Sequence, residues 1–244
     1  MLWHKAWLES RARFLLSAIT IASLSTFVVL YHTDARSIYE GPLSYSSYIW
    51  RITYKSYLRE LFVLLAVLFG LGGILRERAR GTASFTLALP VPRWQLVAVR
   101  AVVGILQVAS LSFLPALVIP TLSPLVHESY PLSQALQFSL LWSVGGVIFF
   151  TVGFLSSVIF AGEFTAPVVS LLALGFYSMF MELPGVERYL PDIHDLMSGA
   201  GMPYFQPASS LLIGPLPWRS LAIILVIALG LIGLAGVITQ RQDF

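Results

Sequence analysis

The sequence predicts an all-α integral membrane protein, built as a single transmembrane domain over residues 1–244, and three observations lead to this prediction. Hydrophobic residues make up 57% of the 244 positions and charged residues only 11%, whereas soluble domains are about half apolar and about a quarter charged. Mean hydropathy is +0.81. Six stretches approach the roughly 20 apolar residues that one membrane crossing requires. This composition excludes a water-soluble enzyme, a disordered chain and a nucleic-acid partner, and the absence of cysteine excludes disulfides and thiolate chemistry.

The six expected transmembrane helices are long apolar runs between polar or proline-containing flanks. They are Phe14–Tyr31, Tyr54–Leu75, Gln95–Pro120, Gln134–Phe160, Thr165–Leu183 and Trp218–Thr239. Pro115 and Pro120 predict a kink or an early end in the third helix, because proline lacks the amide hydrogen of an interior helical bond. Gly162 and Pro167 predict a tight turn between the fourth helix and the fifth.

The distribution of Lys and Arg favours one orientation. Cytoplasmic loops of membrane proteins carry an excess of these residues. With the N-terminus inside, most Lys and Arg residues, including Arg76, Arg78 and Arg80, lie on the cytoplasmic side, and most acidic residues lie outside. We therefore expect both termini in the cytoplasm (N-in/C-in).

Residues 1–13 predict an amphipathic helix at the membrane interface. At helical spacing Trp3, Trp7 and Phe14 share one face, and Lys5 and Glu9 fall away from it. Tryptophan prefers the headgroup level of a bilayer. The residues expected to make the contacts of this helix are Trp3, Lys5, Trp7 and Arg11. A frayed cytoplasmic tail is the alternative.

The expected spans contain almost no ionisable residues at their centres. The four histidines lie in flanks or loops, and Glu60, Glu163 and Glu182 lie at helix ends. Carriers driven by protons or sodium usually need a buried carboxylate or a broken helix. If the protein transports a substrate, we therefore expect the driving force to come from elsewhere.

Residues 76–94 predict a short cytoplasmic helix between the second span and the third. Gly81 can end the preceding helix, Thr82 is a suitable N-cap, and Pro90 stops the new helix after about two turns. Phe85 and Leu89 form a compact apolar face. A two-turn helix is not stable alone in water. It therefore needs a docking surface, either lipid headgroups or a partner protein.

This segment and the layout of six spans resemble the membrane (permease) subunit of ABC type-2 exporters. The matching residues are Glu77, Arg78, Gly81, Thr82, Leu89, Pro90, Val91 and Arg93. Residues 5–11 and the pair Gly162 and Glu163 are also similar to members of that family.

The resemblance implies a set of partners. In that family two permease subunits, identical or paralogous, pair in the membrane, and two cytosolic ABC ATPase subunits bind beneath them. The short helix would be the coupling helix, and the N-terminal helix would form a second contact. The residues implied in ATPase coupling are Glu77, Arg78, Arg80, Gly81, Thr82, Phe85, Leu89, Pro90 and Arg93. The implied location is a bacterial cytoplasmic (inner) membrane.

The chain has no phosphate-binding loop of the G-x-x-x-x-G-K-[ST] type. We therefore expect no catalytic residue, metal or cofactor in this chain, with ATP and Mg²⁺ bound by the partner ATPase. The sparse polar lining of the spans favours a hydrophobic or amphipathic substrate, and the resemblance implies export.

Two other functions remain open. The loop 182–217 is expected outside the cell, and the resemblance implies that it folds into short external or re-entrant helices. It carries Asp192 and His194. With Glu128 these residues could serve a membrane-embedded enzyme that modifies lipids. A structural or sensory multi-pass protein, whose basic loop binds only anionic lipid, is the other alternative.

Overall fold

The computed structural model describes residues 2–33, 44–71, 92–160, 162, 164–181, 183, 186, 192–200 and 202–241, with Arg93 described only in its backbone. The helices in chain order are α1 (Leu2–Leu30), α2 (Tyr45–Ile49), a π-helical turn (Trp50–Lys55), α3 (Tyr57–Gly70), α4 (Arg93–Ser112), α5 (Leu114–Leu122), a 3₁₀ turn (Ser123–Val126), α6 (Leu132–Ile159), α7 (Thr165–Met181), α8 (Ile193–Ser198) and α9 (Trp218–Arg241). The strands β1 (Phe205–Gln206) and β2 (Leu211–Leu212) form an antiparallel hairpin.

Helix α6 is the centre of the bundle. It packs against α3, α4 and α9 along its length, and against α5, α7 and α8 at its sides. Its sequence is apolar on every face, which is typical of a helix enclosed by others. Phe138, Trp142 and Phe150 of α6 are almost fully buried. The core of the protein therefore surrounds one helix.

Four helical stretches are long and apolar enough to cross a membrane in the described part of the chain. They are Leu2–Leu30, Trp94–Val126, Leu132–Ile159 and Trp218–Arg241. The expected second span corresponds to α3, of 14 residues, and the expected fifth span to α7, of 17 residues. Both are shorter than the roughly 20 residues of an untilted crossing. Within the described residues the helices are those of a multi-pass membrane protein with four full-length spans, and residues 72–75 of the expected second span lie outside that description.

The expected interruption in the third span is observed at Phe113, between α4 and α5. Pro115 is the second residue of α5, where its missing amide hydrogen leaves no helical bond broken. Helices α6 and α7 are likewise separate, because α6 ends at Ile159 and α7 begins at Thr165.

The segment expected to form a separate interfacial helix has no boundary with the first span. Leu2–Leu30 is one uninterrupted helix of 29 residues. Positions 11–14 contain neither Gly nor Pro, the residues at which helices usually bend or stop. The sequence in this region therefore gives no physical cause for a break.

The described part of the loop 182–217 folds back onto the bundle. Met197 of α8 and Leu212 of β2 are buried. Asp192 caps α8, since its Oδ1 accepts a hydrogen bond of 2.8 Å from the His194 backbone N–H. Gln134 of α6 binds the Leu212 backbone twice, at 2.7 Å and 2.9 Å. Together, α8 and the hairpin close the end of the bundle that lies away from the N-terminus.

Candidate functional site

Most of the predicted coupling segment lies outside the described residues. This applies to Glu77, Arg78, Arg80, Gly81, Thr82, Phe85, Leu89 and Pro90. Arg93 is the first residue of α4, directly after Pro92. The structure does describe the helices on either side of the segment, α3 before it and α4 after it. The candidate site is therefore the end of the bundle at which α3 ends and α4 begins.

The N-terminal half of α1 contacts both of these flanking helices. Gln107 of α4 donates a hydrogen bond of 2.7 Å from Nε2 to Oγ of Ser10, and both side chains are buried. Arg13 donates from Nη1 to the backbone carbonyl oxygen of Leu68 in α3, at 3.4 Å. Since these bonds join positions distant in sequence, α1 holds α3 and α4 in a fixed relation at this end.

Charged side chains continue this contact along α1. Glu9 lies 3.8 Å from Nζ of Lys5 and 4.0 Å from the guanidinium of Arg100. Both separations are at the long end for an ion pair, and Lys5 and Glu9 are partly exposed. Exposed pairs of this kind contribute about 0–1 kcal/mol to stability. They orient the helices more than they stabilise them.

Three glycines allow close contact between helices at the same end. A Cβ atom on Gly70 would lie 2.6 Å from the Phe154 backbone N and in collision with the Phe150 carbonyl oxygen. A Cβ atom on Gly153 would lie 2.5 Å from the carbonyl oxygen of Val67. A Cβ atom on Gly104 of α4 would collide with the Phe150 ring. Helix α6 is therefore in tight contact with both flanking helices.

A small cavity of about 40 Å³ lies between these helices. Its polar lining residues include Glu9, Ser10, Arg13, Arg100 and Gln107. Oε1 of Gln107 is buried and has no hydrogen-bond partner among the described residues. A polar space of this size can hold a water molecule.

The structure places Trp3 and Trp7 on one face of α1, and Lys5 and Glu9 on another. Trp3 and Trp7 are exposed, at 52% and 43%, and point away from the bundle. Arg11 is also exposed. Lys5 and Glu9, expected to fall away from the tryptophan face, lie beside Arg100 of α4. The two tryptophan rings therefore face outward, while Lys5 and Glu9 face α4.

Two residues of the alternative enzymatic site, Asp192 and His194, make structural contacts. Asp192 is the α8 cap described above, and the backbone carbonyl of His194 accepts a 3.1 Å hydrogen bond from Arg59. Burial, and next the positive charge of Arg59, lowers the pKa of His194 below its ordinary value. Across the described ranges no three His, Asp or Glu side chains approach closely enough to hold a metal ion.

The contacts of Gln107, Ser10, Arg13 and Arg100 were not predicted from the sequence. Gln107 is an amide within an apolar span, and such a group needs a hydrogen-bond partner. That signal marks the residue but not its partner. The partner depends on how α1 and α4 are aligned, which the sequence does not specify.

Comparison with models of protein families identifies a family for this chain. The family model described as ABC-2 family transporter protein matches residues 13–186. That range includes both flanking helices, the segment between them and α6. A comparison with curated proteins gives no match.

Proposed function

The chain belongs to the ABC-2 family of transporter proteins, and from this premise we propose that it couples ATP hydrolysis on a separate subunit to export through the membrane. It is a multi-pass membrane component of an ABC transporter, a complex that includes an ATP-binding subunit. The proposal concerns what this chain does within that complex.

In the proposed arrangement the chain crosses a bacterial cytoplasmic membrane six times, with both termini in the cytoplasm. Helices α3 and α7 are the two shorter spans. The helical segments from Tyr45 to Gly70 support a longer second crossing, because α2 and the π-helical turn lead almost directly into α3. Only Ser56, with φ −123° and ψ −117°, interrupts the series.

Residues 76–94 then form the cytoplasmic coupling helix that receives movement from the ATPase. The observation that carries this proposal is the contact of α1 with both flanking helices, through Gln107, Ser10 and Arg13. A displacement of the segment would act on α3 and α4 together, because α1 and α6 hold them in one packed unit. The exposed residues Trp3, Trp7 and Arg11, with Lys5, would supply the second contact at the same end.

The chain supplies the pathway and no catalytic group in this proposal. ATP and Mg²⁺ bind to two cytosolic ABC ATPase subunits, and a second copy of the chain, or a paralogue, completes the permease. A hydrophobic or amphipathic substrate is supported by the aromatic centre of the bundle, where Phe62, Phe138 and Trp142 are buried together. Such a substrate could exchange directly with the lipid, and its pathway would not need charged side chains.

Co-purification tests the proposal. The tagged full chain is isolated from its native membranes in mild detergent, and the bound ATPase and its ATP hydrolysis are measured. Phe85→Asp places a charge on the apolar face of the coupling helix and should lower ATPase recovery at least about tenfold, since burying an unpaired carboxylate is costly. The matched control is Ile213→Asp, because Ile213 is 71% exposed at the opposite end of the bundle.

Two outcomes would overturn the proposal. One is recovery of no ATP-hydrolysing subunit with the wild-type chain. The other is equal recovery with Phe85→Asp and wild type at equal amounts of inserted chain. Gly81→Pro should produce the milder result of a bound ATPase whose hydrolysis no longer responds to the permease.

A further inference from the structure

Four buried side chains in the interior of the bundle carry polar atoms without a hydrogen-bond partner among the described residues. The atoms are the hydroxyl oxygens of Tyr54, Tyr130 and Ser139 and the indole nitrogen Nε1 of Trp142. Each side chain is at most 5% exposed. Such atoms are rare in folded proteins, because a buried donor or acceptor without a partner has lost its water without replacement. Four of them in one protein interior therefore require an explanation.

The four groups lie near one another. The Tyr54 ring stacks on Phe138, with 4.6 Å between centroids, and meets the Trp142 ring edge-on at 5.5 Å. The hydroxyls of Tyr54 and Ser139 are neighbours, and Tyr130 lies within electrostatic reach of Tyr54. Tyr54 belongs to the π-helical turn, whereas Ser139 and Trp142 belong to α6. We call Tyr54, Tyr130, Ser139 and Trp142 the polar cluster.

Other buried tyrosines of the same region have partners within the chain. The Tyr48 hydroxyl donates a hydrogen bond of 2.9 Å to the Val28 carbonyl oxygen. The hydroxyls of Tyr45 and Ser123 are joined at 2.8 Å. Tyr48 is buried as deeply as Tyr54. Burial alone therefore does not account for the unpaired hydroxyl of Tyr54, whereas a partner from outside the chain would.

The chemistry of the polar cluster favours an uncharged partner. The indole N–H of Trp142 only donates, while the three hydroxyls both donate and accept hydrogen bonds. Aromatic rings surround these groups, since Phe62 stacks on Trp142 at 5.1 Å between centroids and Phe138 stacks on Tyr54. An ion bound here would be buried without an opposite charge from the cluster, which is costly. The partner that fits is therefore a neutral hydrogen-bonding group on an apolar molecule.

Helix α8 and the residue that ends it cover this part of α6. Gly145 shares a face of α6 with Phe138 and Trp142, because these positions are three and four residues apart. A Cβ atom on Gly145 would collide with the side chain of Met197 in α8. A Cβ atom on Gly199 would lie 3.2 Å from the Phe138 ring. The polar cluster is thus enclosed in this structure, so a ligand enters only if neighbouring elements separate.

We propose that the polar cluster binds the uncharged polar group of an amphipathic molecule, whose apolar part packs against Phe62 and Phe138. Tyr54, Ser139 and Trp142 are the hydrogen-bonding residues of this site. The proposal rests on the proposed function for the amphipathic class of the substrate, and it adds the side chains that recognise it. Binding by the isolated chain needs no ATPase, so failure to bind and failure to recover an ATPase are separate results.

Fluorine NMR of the purified full chain, labelled with 5-fluorotryptophan in phosphatidylcholine nanodiscs, tests the proposal. The Trp142 resonance is identified by its absence from Trp142→Phe, and exposed Trp218 reports unspecific partition of a probe into the lipid. Three probes of equal chain length are compared: 1-decanoylglycerol, which is uncharged and has two hydroxyls, methyl decanoate, which has none, and the decanoate anion. We expect a saturable shift of the Trp142 resonance with 1-decanoylglycerol, and binding at least about tenfold weaker for the other two.

Two variants connect binding to the unpaired hydroxyls. Y54F/S139A removes two of these hydroxyls and should weaken binding of 1-decanoylglycerol at least about tenfold. Since no described hydrogen bond of these hydroxyls is lost, its thermal unfolding midpoint should equal or exceed that of the wild type. Tyr48→Phe is the matched control, because it removes a paired hydroxyl from an equally buried ring. It should lower the unfolding midpoint and leave binding unchanged.

Three results would overturn the proposal. The first is an equal response to all three probes, or no saturable shift of the Trp142 resonance. The second is unchanged binding in Y54F/S139A. The third is a fall in unfolding midpoint for Tyr54→Phe as large as that for Tyr48→Phe, since the Tyr54 hydroxyl would then already be bonded, to buried water. Binding that depends on the hydroxyls of both the probe and the chain would support the proposal, whether or not an ATPase is recovered.

Discussion

The two ends of the bundle are held together in different ways. At the N-terminal end, the described contacts are between helices: α1 on α3 and α4, and α6 against the glycine surfaces of both. At the opposite end, short segments tie distant parts of the chain to one another. Trp50 binds the backbone of Ser198, Arg59 that of His194, and Gln134 that of Leu212.

This difference separates two kinds of stability. The N-terminal end depends mainly on close packing of helices, in addition to the hydrogen bonds of Gln107 and Arg13. Hydrogen bonds to the backbone of capping segments hold one geometry, because each broken bond leaves a buried carbonyl or amide without a partner. The capped end therefore depends more on hydrogen bonds to the backbone, and the N-terminal end more on packing.

The largest expected effect comes from Gly70→Ala. The added Cβ atom meets backbone atoms of Phe150 and Phe154, which cannot rotate away as a side chain could. We expect a loss of about 3 kcal/mol or more in stability, measured as the shift of the thermal unfolding midpoint in detergent. Gly230→Ala is the control, because no atom lies within 4 Å of its added Cβ. Equal midpoints for the two variants would show that α3 and α6 are not in backbone contact.

A smaller effect is expected at the capped end from Trp50→Phe. The change keeps an aromatic ring but removes the donor to the Ser198 carbonyl oxygen. Leaving that carbonyl unpaired should lower stability by about 1–3 kcal/mol. Trp218→Phe, at an exposed position on α9, should leave the unfolding midpoint unchanged. If Trp50→Phe and the control had equal unfolding midpoints, the hydrogen bond from Trp50 to Ser198 would not stabilise this end.

Low pH should lower the folding stability of the protein through His194, at the capped end. Burial, then the charge of Arg59, lowers the pKa of this histidine in the folded protein, while Glu60, Asp192 and Asp195 act in the opposite direction. As the pH falls, the unfolded chain therefore binds a proton at His194 before the folded protein does. Stability should consequently fall as the pH drops below about 6.5. His194→Gln should flatten this fall in unfolding midpoint between pH 7 and pH 5. His4→Gln, at the other end, should leave the wild-type pH dependence intact.

The smallest effect is expected from Glu9→Gln. Glu9 is partly exposed, and its partners Lys5 and Arg100 lie at 3.8 Å and 4.0 Å. The variant should lower stability by about 0.5 kcal/mol or less, and added salt should abolish the difference from wild type. A loss as large as that of Trp50→Phe would mean that the N-terminal end depends on this ion pair as strongly as the capped end depends on the Trp50 hydrogen bond.

Features set by local chemistry were predictable from the sequence. The interruption beside Pro115 and the separation of α6 from α7 near Gly162 follow from residues that cannot continue a helix. The family was also identified correctly from the segment 76–94 and the number of apolar runs. The role of residues 76–94 in ATPase coupling stays a prediction.

Features set by packing were not predictable. Helix α6 is apolar on all sides, so its pattern contains no information on which neighbour lies where. The position of Lys5 and Glu9 beside Arg100 depends on how α1 is aligned with α4, which the sequence does not specify. The π-helical turn and the β1–β2 hairpin depend on contacts with Ser198 and Gln134, more than 70 residues away in each case.

The unbroken length of α1 has a mechanical consequence. A helix of 29 residues is about 43 Å long, whereas the hydrocarbon layer is about 30 Å thick. The same helix is bonded at its far end, where the Tyr48 hydroxyl donates to the Val28 carbonyl oxygen at 2.9 Å. Pivoted on that bond, a 10° swing would carry Trp3 sideways by about 7 Å. A small rotation of α1 about this hydrogen bond would therefore produce a much larger displacement of its N-terminal end.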